Sequence, residues 1–157
     1  MKIKRCATAA VLIAAFAAAP IVCAQSPEHQ RIVKPNDLKW TDIGSLPPGA
    51  KVAVIEGDPG KEGLITIRIK LPPNYKVPPH YHSTVERSTI LSGTLNIGMG
   101  EKFDEKKSTA MPPGTLLLMP PKMPHFAWTK DEVIFQLNVM GPWTVTYVNP
   151  ADDPRKK

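Results

Sequence analysis

This chain has few cysteines and lacks the sequence motifs of several enzyme classes. Each of these absences excludes a type of protein. Its 157 residues contain two cysteines, Cys6 and Cys23, and both precede residue 25. The remainder therefore cannot form a disulfide, so its stability has to come from a hydrophobic core or a bound metal. The same remainder lacks a serine nucleophile elbow, a glycine-rich phosphate loop and a Cys-x-x-Cys pair. The usual signatures of serine hydrolases, P-loop nucleotide enzymes and dithiol redox proteins are thus missing.

The surplus of positive charge is small and scattered. The formal net charge is +6, and it falls to +3 when Lys2, Lys4 and Arg5 are set aside with the N-terminal leader. Lysines at 102, 106 and 107 are interleaved with acids at 101, 104 and 105. Without a basic cluster, a surplus of this size argues against a nucleic-acid partner.

Residues 1–24 have the pattern of a secretory signal peptide. Basic residues are followed by the almost unbroken apolar run 7–19, and Val22-Cys23-Ala24 then offers small residues for cleavage. The run is shorter than the roughly 20 apolar residues that span a bilayer. We therefore expect cleavage after Ala24 and secretion, with the bacterial periplasm as destination and no membrane insertion afterwards.

The rest of the chain predicts a single all-β domain. Residues 25–36 form a polar arm, 37–150 carry short apolar stretches separated by turn signals, and 151–157 are a charged tail. In residues 64–71, isoleucines and leucine alternate with Thr66, Arg68 and Lys70, which is the pattern of a half-buried strand. No segment keeps a helical period over three turns, and eighteen prolines and ten glycines interrupt the chain. This pattern predicts a β-sandwich or β-barrel.

Three of the four histidines, together with one glutamate, have the composition of a metal site. His80 and His82 would share one face of a strand, and Glu86 has the same parity if that strand continues. His125 would come from a neighbouring strand. Imidazole nitrogens and carboxylate oxygens are ligands for first-row transition metals. A His-x-His pair alone is better explained by surface histidines beside a proline-rich loop, but the full set with Gly93 favours a metal site.

These residues resemble the two sequence motifs of the cupin superfamily. In the first motif, His80, His82, Glu86 and Gly93 match, and Asn74 stands where a glycine is usual. In the second motif, the matching residues are Gly114, Pro120 and His125, whereas Lys122 and Thr129 replace a glycine and an asparagine. Asparagine tolerates a positive φ, but lysine does so less readily. We therefore expect the turn before His125 to have a different shape.

The resemblance, which spans most of residues 37–148, implies a fold and a cofactor. The fold would be a single-domain cupin barrel, also called a double-stranded β-helix or jelly roll. One divalent transition metal would be held by His80, His82, Glu86 and His125. Iron or manganese is favoured, and nickel, zinc, cobalt and copper stay open.

The resemblance also implies an enzyme acting on a small organic molecule. A dioxygenase-like oxidoreductase comes first and a lyase or isomerase next, with a non-catalytic metal-binding, ligand-binding or sensing module as the alternative. Glu86 could dissociate from the metal and act as a base. Strand parity adds Ser88, Gln136 and Asn138 as residues of a substrate pocket. A homodimer is compatible with either function, because cupins commonly dimerise.

Overall fold

The computed structural model describes residues 30–157, in which nearly all regular structure is β. These residues form eleven strands and four short 3-10 helices. The strands are β1 (Thr41–Asp42), β2 (Lys51–Glu56), β3 (Gly63–Leu71), β4 (Lys76–Tyr81), β5 (Glu86–Ser92), β6 (Leu95–Met99), β7 (Ser108–Met111), β8 (Leu116–Met119), β9 (His125–Thr129), β10 (Val133–Gly141) and β11 (Thr146–Tyr147). The 3-10 helices span Pro35–Asp37, Glu105–Lys107, Pro150–Asp152 and Pro154–Lys156.

The expected signal peptide, residues 1–24, lies outside the described residues, as does the first part of the polar arm. None of the helices within residues 30–157 has the length and apolar character that crossing a membrane requires.

The strands form two antiparallel sheets. One sheet has the order β1-β2-β3-β10-β5-β8, and the other has the order β11-β4-β9-β6-β7. Three of the ten consecutive strand pairs, β1-β2, β2-β3 and β6-β7, are neighbours in a sheet, and at the other seven steps the chain crosses from one sheet to the other. This arrangement confirms the predicted all-β fold of the double-stranded β-helix type.

The core lies on the inner faces of the strands, as the alternation in β3 predicted. Ile65, Ile67, Ile69 and Leu71 of β3 are buried. The β10 residues that pair with them are buried as well. Burying a side chain of this size fully contributes roughly 1.5–3 kcal/mol to stability. The apolar rows of β3 and β10 thus hold the centre of the six-stranded sheet.

Positive φ angles occur at the motif positions where glycine is usual. Asn74 has φ 56° and Lys122 has φ 59°, the only non-glycine residues of this kind in residues 30–157. The expectation that Lys122 would change the turn before His125 is therefore wrong, because Lys122 adopts the left-handed conformation itself. Its backbone N–H donates to the carbonyl oxygen of His82 at 2.8 Å. This hydrogen bond ties the turn before one histidine to the backbone of another.

The charged segment 151–157 is attached to the domain. Asp153 is buried, and Arg155 donates to its carboxylate at 2.7 and 2.8 Å. Arg155 also donates to the carbonyl oxygen of buried Val145 at 2.8 Å. The pKa of Asp153 is lowered, chiefly by the hydrogen bond from Arg155. This pair anchors the end of the described chain beside β11.

Candidate metal centre

Three buried histidines converge inside the domain. His80 lies in β4, His82 follows that strand directly, and His125 begins β9. His80 and His125 are register partners on neighbouring strands, as the sequence suggested. The potential ligand nitrogens of the three side chains all lie within 4.8 Å of one another. A single ion can be reached by all three imidazoles at this spacing.

The backbone sets the tautomer of each imidazole. Nδ1 of His80 lies 2.8 Å from the carbonyl oxygen of Pro78, and Nδ1 of His125 lies 3.0 Å from that of Met123. Nδ1 of His82 lies 2.7 Å from the carbonyl oxygen of Thr144. A carbonyl oxygen only accepts hydrogen bonds, so each Nδ1 has to carry the proton. The lone pair of each Nε2 is then available for a metal, and the donor set fits a divalent transition ion.

The three carbonyls were not found from the sequence. Two of them, from Pro78 and Met123, precede their histidine by two residues. That local spacing is the one signal that could have indicated them. The third, from Thr144, is distant in sequence and depends on the way the chain returns past His82.

Glu86 reaches the histidines from the opposite sheet. The histidine strand does not continue to Glu86, because β4 ends at Tyr81 and Glu86 begins β5 in the six-stranded sheet. Its Oε2 lies 2.8 Å from Nε2 of His82, and its Oε1 accepts a hydrogen bond from Ser88 Oγ at 2.6 Å. Glu86 and Ser88 are both buried. The carboxylate is thus fixed beside one corner of the histidine group.

The pKa values of the ionisable groups in the site are shifted in different directions. Burial disfavours the charged form of every group, and it lowers the pKa of His80 to about 3 and also lowers that of His125. Burial acts in the same way on His82, but the hydrogen bond and charge of Glu86 outweigh it and raise the pKa of His82. Hydrogen bonds from His82 and Ser88 likewise outweigh burial at Glu86 and lower its pKa to about 2. In the site without metal, His82 beside Glu86 is therefore the imidazole that most favours the protonated form, whereas burial favours neutral His80 and His125.

The histidines line a cavity with mainly apolar walls. Its volume is about 40 Å³. Both sheets contribute apolar side chains to it, among them Ile69, Leu95 and Phe135. The polar groups that line it belong to the three histidines, Glu86, Ser88 and Trp143. The site therefore joins a polar, metal-competent end to an apolar chamber.

Two of the three predicted pocket residues lie elsewhere. Ser88 lines the cavity, but Gln136 and Asn138 do not. On β10 the buried residues are Phe135, Leu137 and Val139, so the alternating Gln136 and Asn138 lie on the outer face of the sheet. There Asn138 donates to Thr66 Oγ1 at 2.9 Å, and Gln136 accepts from Arg68 Nε at 3.3 Å. The prediction for these two residues is wrong, because strand parity alone did not say which face of β10 is buried.

Trp143 packs against the core and also lines the cavity. Its ring stacks against His82, with centroids 5.6 Å apart and planes inclined by 22°. The next residue, Thr144, supplies the carbonyl oxygen that holds His82 Nδ1. One short segment therefore orients His82 and forms part of the chamber wall.

Comparison with known proteins identifies the fold. No family model matches the chain, and no curated protein matches it. Among solved structures, the polyketide cyclase RemF from Streptomyces resistomycificus superposes with a TM-score of 0.65 at 19% identity, covering 82% of this chain and 92% of that one. An RmlC-like cupin from Shewanella frigidimarina gives 0.56 at 15% identity, covering 71% and 91%. The DMSP lyase DddQ from Ruegeria pomeroyi gives 0.58 at 18% identity, covering 73% and 63%. At these identities the likeness establishes the fold.

Proposed function

We propose that this chain, which has the cupin fold, is a metal-dependent enzyme acting on a small organic molecule. The observation that carries the proposal is the convergence of three imidazoles, each with its Nδ1 held by a backbone carbonyl oxygen. A buried carboxylate adjoins them, and a cavity gives access. Structures with the same fold include a protein named a cyclase and proteins named lyases, which supports an enzyme.

The metal would be held by Nε2 of His80, His82 and His125. Glu86 would supply a fourth ligand or remain beside His82. When bound, a divalent ion would supply Lewis-acid stabilisation of an oxygen on the substrate, or redox capacity if it is iron or manganese. Iron and manganese remain the favoured metals, because they accept more than four ligands and leave positions for a substrate.

Glu86 is placed to hold and transfer a proton. In the absence of metal, its Oε2 lies 2.8 Å from Nε2 of His82, and this contact favours the protonated imidazole. A metal held at that nitrogen would exclude the proton, so Oε2 would lose this hydrogen-bond partner. Ser88 continues to hold Oε1 at 2.6 Å, so the carboxylate keeps its position while Oε2 can accept a proton from substrate. Glu86 is thus the proposed general base, and Ser88 positions it.

Two reaction classes follow from these roles. A dioxygenase-like oxidation is the first, in keeping with the histidine and glutamate ligand set. Proton transfer, as in a lyase or isomerase, is the second, and the location of Glu86 on the opposite sheet beside the histidines specifically favours it. The alternative of a non-catalytic binding module uses the same ligands without turnover.

Metal analysis of the purified protein, followed by turnover assays, tests the proposal. Native protein should contain about one equivalent of metal, and a His82→Ala variant should contain little. Substrate-dependent oxygen uptake supports the oxidation, whereas turnover without oxygen supports proton transfer. A fully metal-loaded protein that converts no compound in a broad panel would support the binding module. Native protein without metal, and unable to bind it, would overturn the proposal.

A further inference from the structure

A groove lies on the outer face of the six-stranded sheet, away from the histidines. Its volume is about 600 Å³, within the roughly 300–1,000 Å³ that small-molecule sites occupy. Arg68 and Lys70 of β3 line the groove, whereas Ile69 and Leu71, which alternate with them, line the metal cavity. The sheet therefore separates the two spaces.

Both charged side chains that line the groove are cations. Arg68 and Lys70 are half-buried, and no aspartate or glutamate is among the described residues that line the groove. Neither cation has an ion-pair partner within residues 30–157. In contrast, Lys51, the register partner of Lys70 on β2, is paired with Asp42 at 2.6 Å. A concave surface with two such cations and no acid favours an anion.

A chain of hydrogen bonds holds Arg68 in place. Arg68 Nε donates to Gln136 Oε1 at 3.3 Å, and Gln136 Nε2 donates to Asn138 Oδ1 at 3.4 Å. Asn138 donates in turn to Thr66 Oγ1 at 2.9 Å, and Thr66 donates to Glu56 Oε2 at 3.2 Å. The two Nη groups of Arg68 have no acceptor among the described residues and are not shielded from solvent. Such a planar pair of donors matches the two oxygens of a carboxylate.

Apolar side chains lie beside the two cations. Lys70 Nζ is 4.7 Å from the centroid of the Trp40 ring, a distance at which the ring attracts the ammonium group. Ile134, which pairs with Lys70 across the sheet, and Leu91, which is 41% exposed, also line the groove. A ligand that covers these side chains would remove apolar surface from water. The groove therefore matches a molecule with one acidic group and an apolar body.

We propose that this groove is a second ligand site, which binds a small monocarboxylate with an apolar or aromatic body. Arg68 and Lys70 would hold the carboxylate, and Trp40, Leu91 and Ile134 would contact the body. The site goes beyond the proposed function and does not depend on it, because the sheet lies between the groove and the histidines.

The test titrates the purified chain, without metal, with three probes by calorimetry. 2-Naphthoate has both a charge and an aromatic body, 2-naphthalenemethanol lacks the charge, and acetate lacks the body. Naphthoate should bind saturably and at least about tenfold more tightly than either of the others. In the ¹⁵N spectrum, the indole N–H signal of Trp40, assigned from its loss in Trp40→Phe, should shift with naphthoate. The signal of Trp128, which lies in β9 of the other sheet, should not shift.

Two charge variants show whether the groove is the site. Lys70→Gln removes one cation and should weaken naphthoate binding by about three- to tenfold, with the affinity for naphthalenemethanol unchanged. Lys102→Gln is the matched control, because it makes the same change in net charge at an exposed lysine that does not line the groove. That variant should bind all three probes as the native chain does.

Several results would overturn the proposal. One is no saturable binding of naphthoate, and another is equal naphthoate affinity in Lys70→Gln and the native chain. Binding that requires Zn²⁺, or that is lost in His82→Ala, would place the probe at the histidines instead. A groove covered by a second copy of the chain would bind no probe, and Trp40→Ala would then lower the sedimentation coefficient. Unchanged naphthoate binding in His82→Ala is the expected result, and it would hold even if the proposed function failed.

Discussion

Oε2 of Glu86 lies 2.8 Å from Nε2 of His82, so the nitrogen that would bind a metal is the one that the glutamate contacts. A proton and a metal ion therefore compete for the same lone pair. The glutamate stabilises the protonated ring in the absence of metal, and its charge also favours a bound cation. The two predictions that follow concern this competition.

Glu86→Gln should weaken metal binding. The amide has the shape of the carboxylate but lacks its negative charge, so it stabilises a bound cation less and is a poorer ligand. We expect the dissociation constant for Mn²⁺ or Fe²⁺ to rise by about tenfold or more. Titration calorimetry on the native and variant chains measures this change. Ser88→Ala, which keeps the charge and removes one hydrogen bond, is the control with a smaller effect. Equal affinities in Glu86→Gln and the native chain would contradict a role of Glu86 at the metal.

Metal affinity should fall as the pH is lowered. The pKa of His82 is raised above its usual 6.5, mainly through its contact with Glu86, whereas the pKa values of His80 and His125 are lowered by burial. Below the raised pKa, Nε2 of His82 carries a proton that the metal has to displace. His80 and His125 remain neutral there and add little to the pH dependence. Binding at pH 6.5 should therefore release a proton, which calorimetry in buffers of different ionisation enthalpy detects.

The same pH dependence has an internal control. In Glu86→Gln, the group that raises the pKa of His82 is gone, so burial should dominate and lower it. The loss of affinity should then begin at a lower pH than in the native chain. A pH profile that is unchanged by this substitution would show that another group takes up the proton.

Gly93→Ala should destabilise the fold strongly. Gly93 has φ 72°, and a Cβ there would lie 2.2 Å from the carbonyl oxygen of Glu132. Backbone strain and this clash together should cost about 3 kcal/mol or more. Gly114→Ala is the matched control, because Gly114 has φ 87° but no atom within 4 Å of the added Cβ. That variant should lose only about 1 kcal/mol. Urea unfolding of both variants measures the difference, and equal losses would show that the clash is relieved.

Asn138→Ala should change stability and leave the metal site alone. Asn138 donates to Thr66 Oγ1 at 2.9 Å on the outer face of the six-stranded sheet. Losing this hydrogen bond should cost about 1 kcal/mol in urea unfolding. Metal affinity should stay within error of the native value. A clear loss of metal affinity would restore Asn138 to the pocket that the sequence suggested.

The features that depend on the local spacing of residues could be predicted from the sequence. The features that depend on how strands end and pair in the folded chain could not. The alternation in β3 follows from strand geometry and is found, and His125 was expected on a neighbouring strand, where it pairs with His80. The change of sheet between His82 and Glu86 does not follow, because the three residues between them carry no signal that shows where a strand ends. On β10, the alternation of side chains places Gln136 and Leu137 on opposite faces of the sheet. It does not say which of the two faces is buried. The fully apolar face is the buried one, and that rule would have given the correct choice.

The backbone carbonyls of Pro78, Met123 and Thr144 orient the three imidazoles through main-chain atoms and not through side chains. A carbonyl oxygen belongs to every residue type, so no substitution at these three positions deletes the acceptor that orients an imidazole. The walls of the chamber, in contrast, consist of side chains, and each can be exchanged. Mutation can therefore alter which molecule the chamber admits while the geometry of the histidines is inherited unchanged. Such a division would let new specificities evolve on one unchanged set of donor atoms.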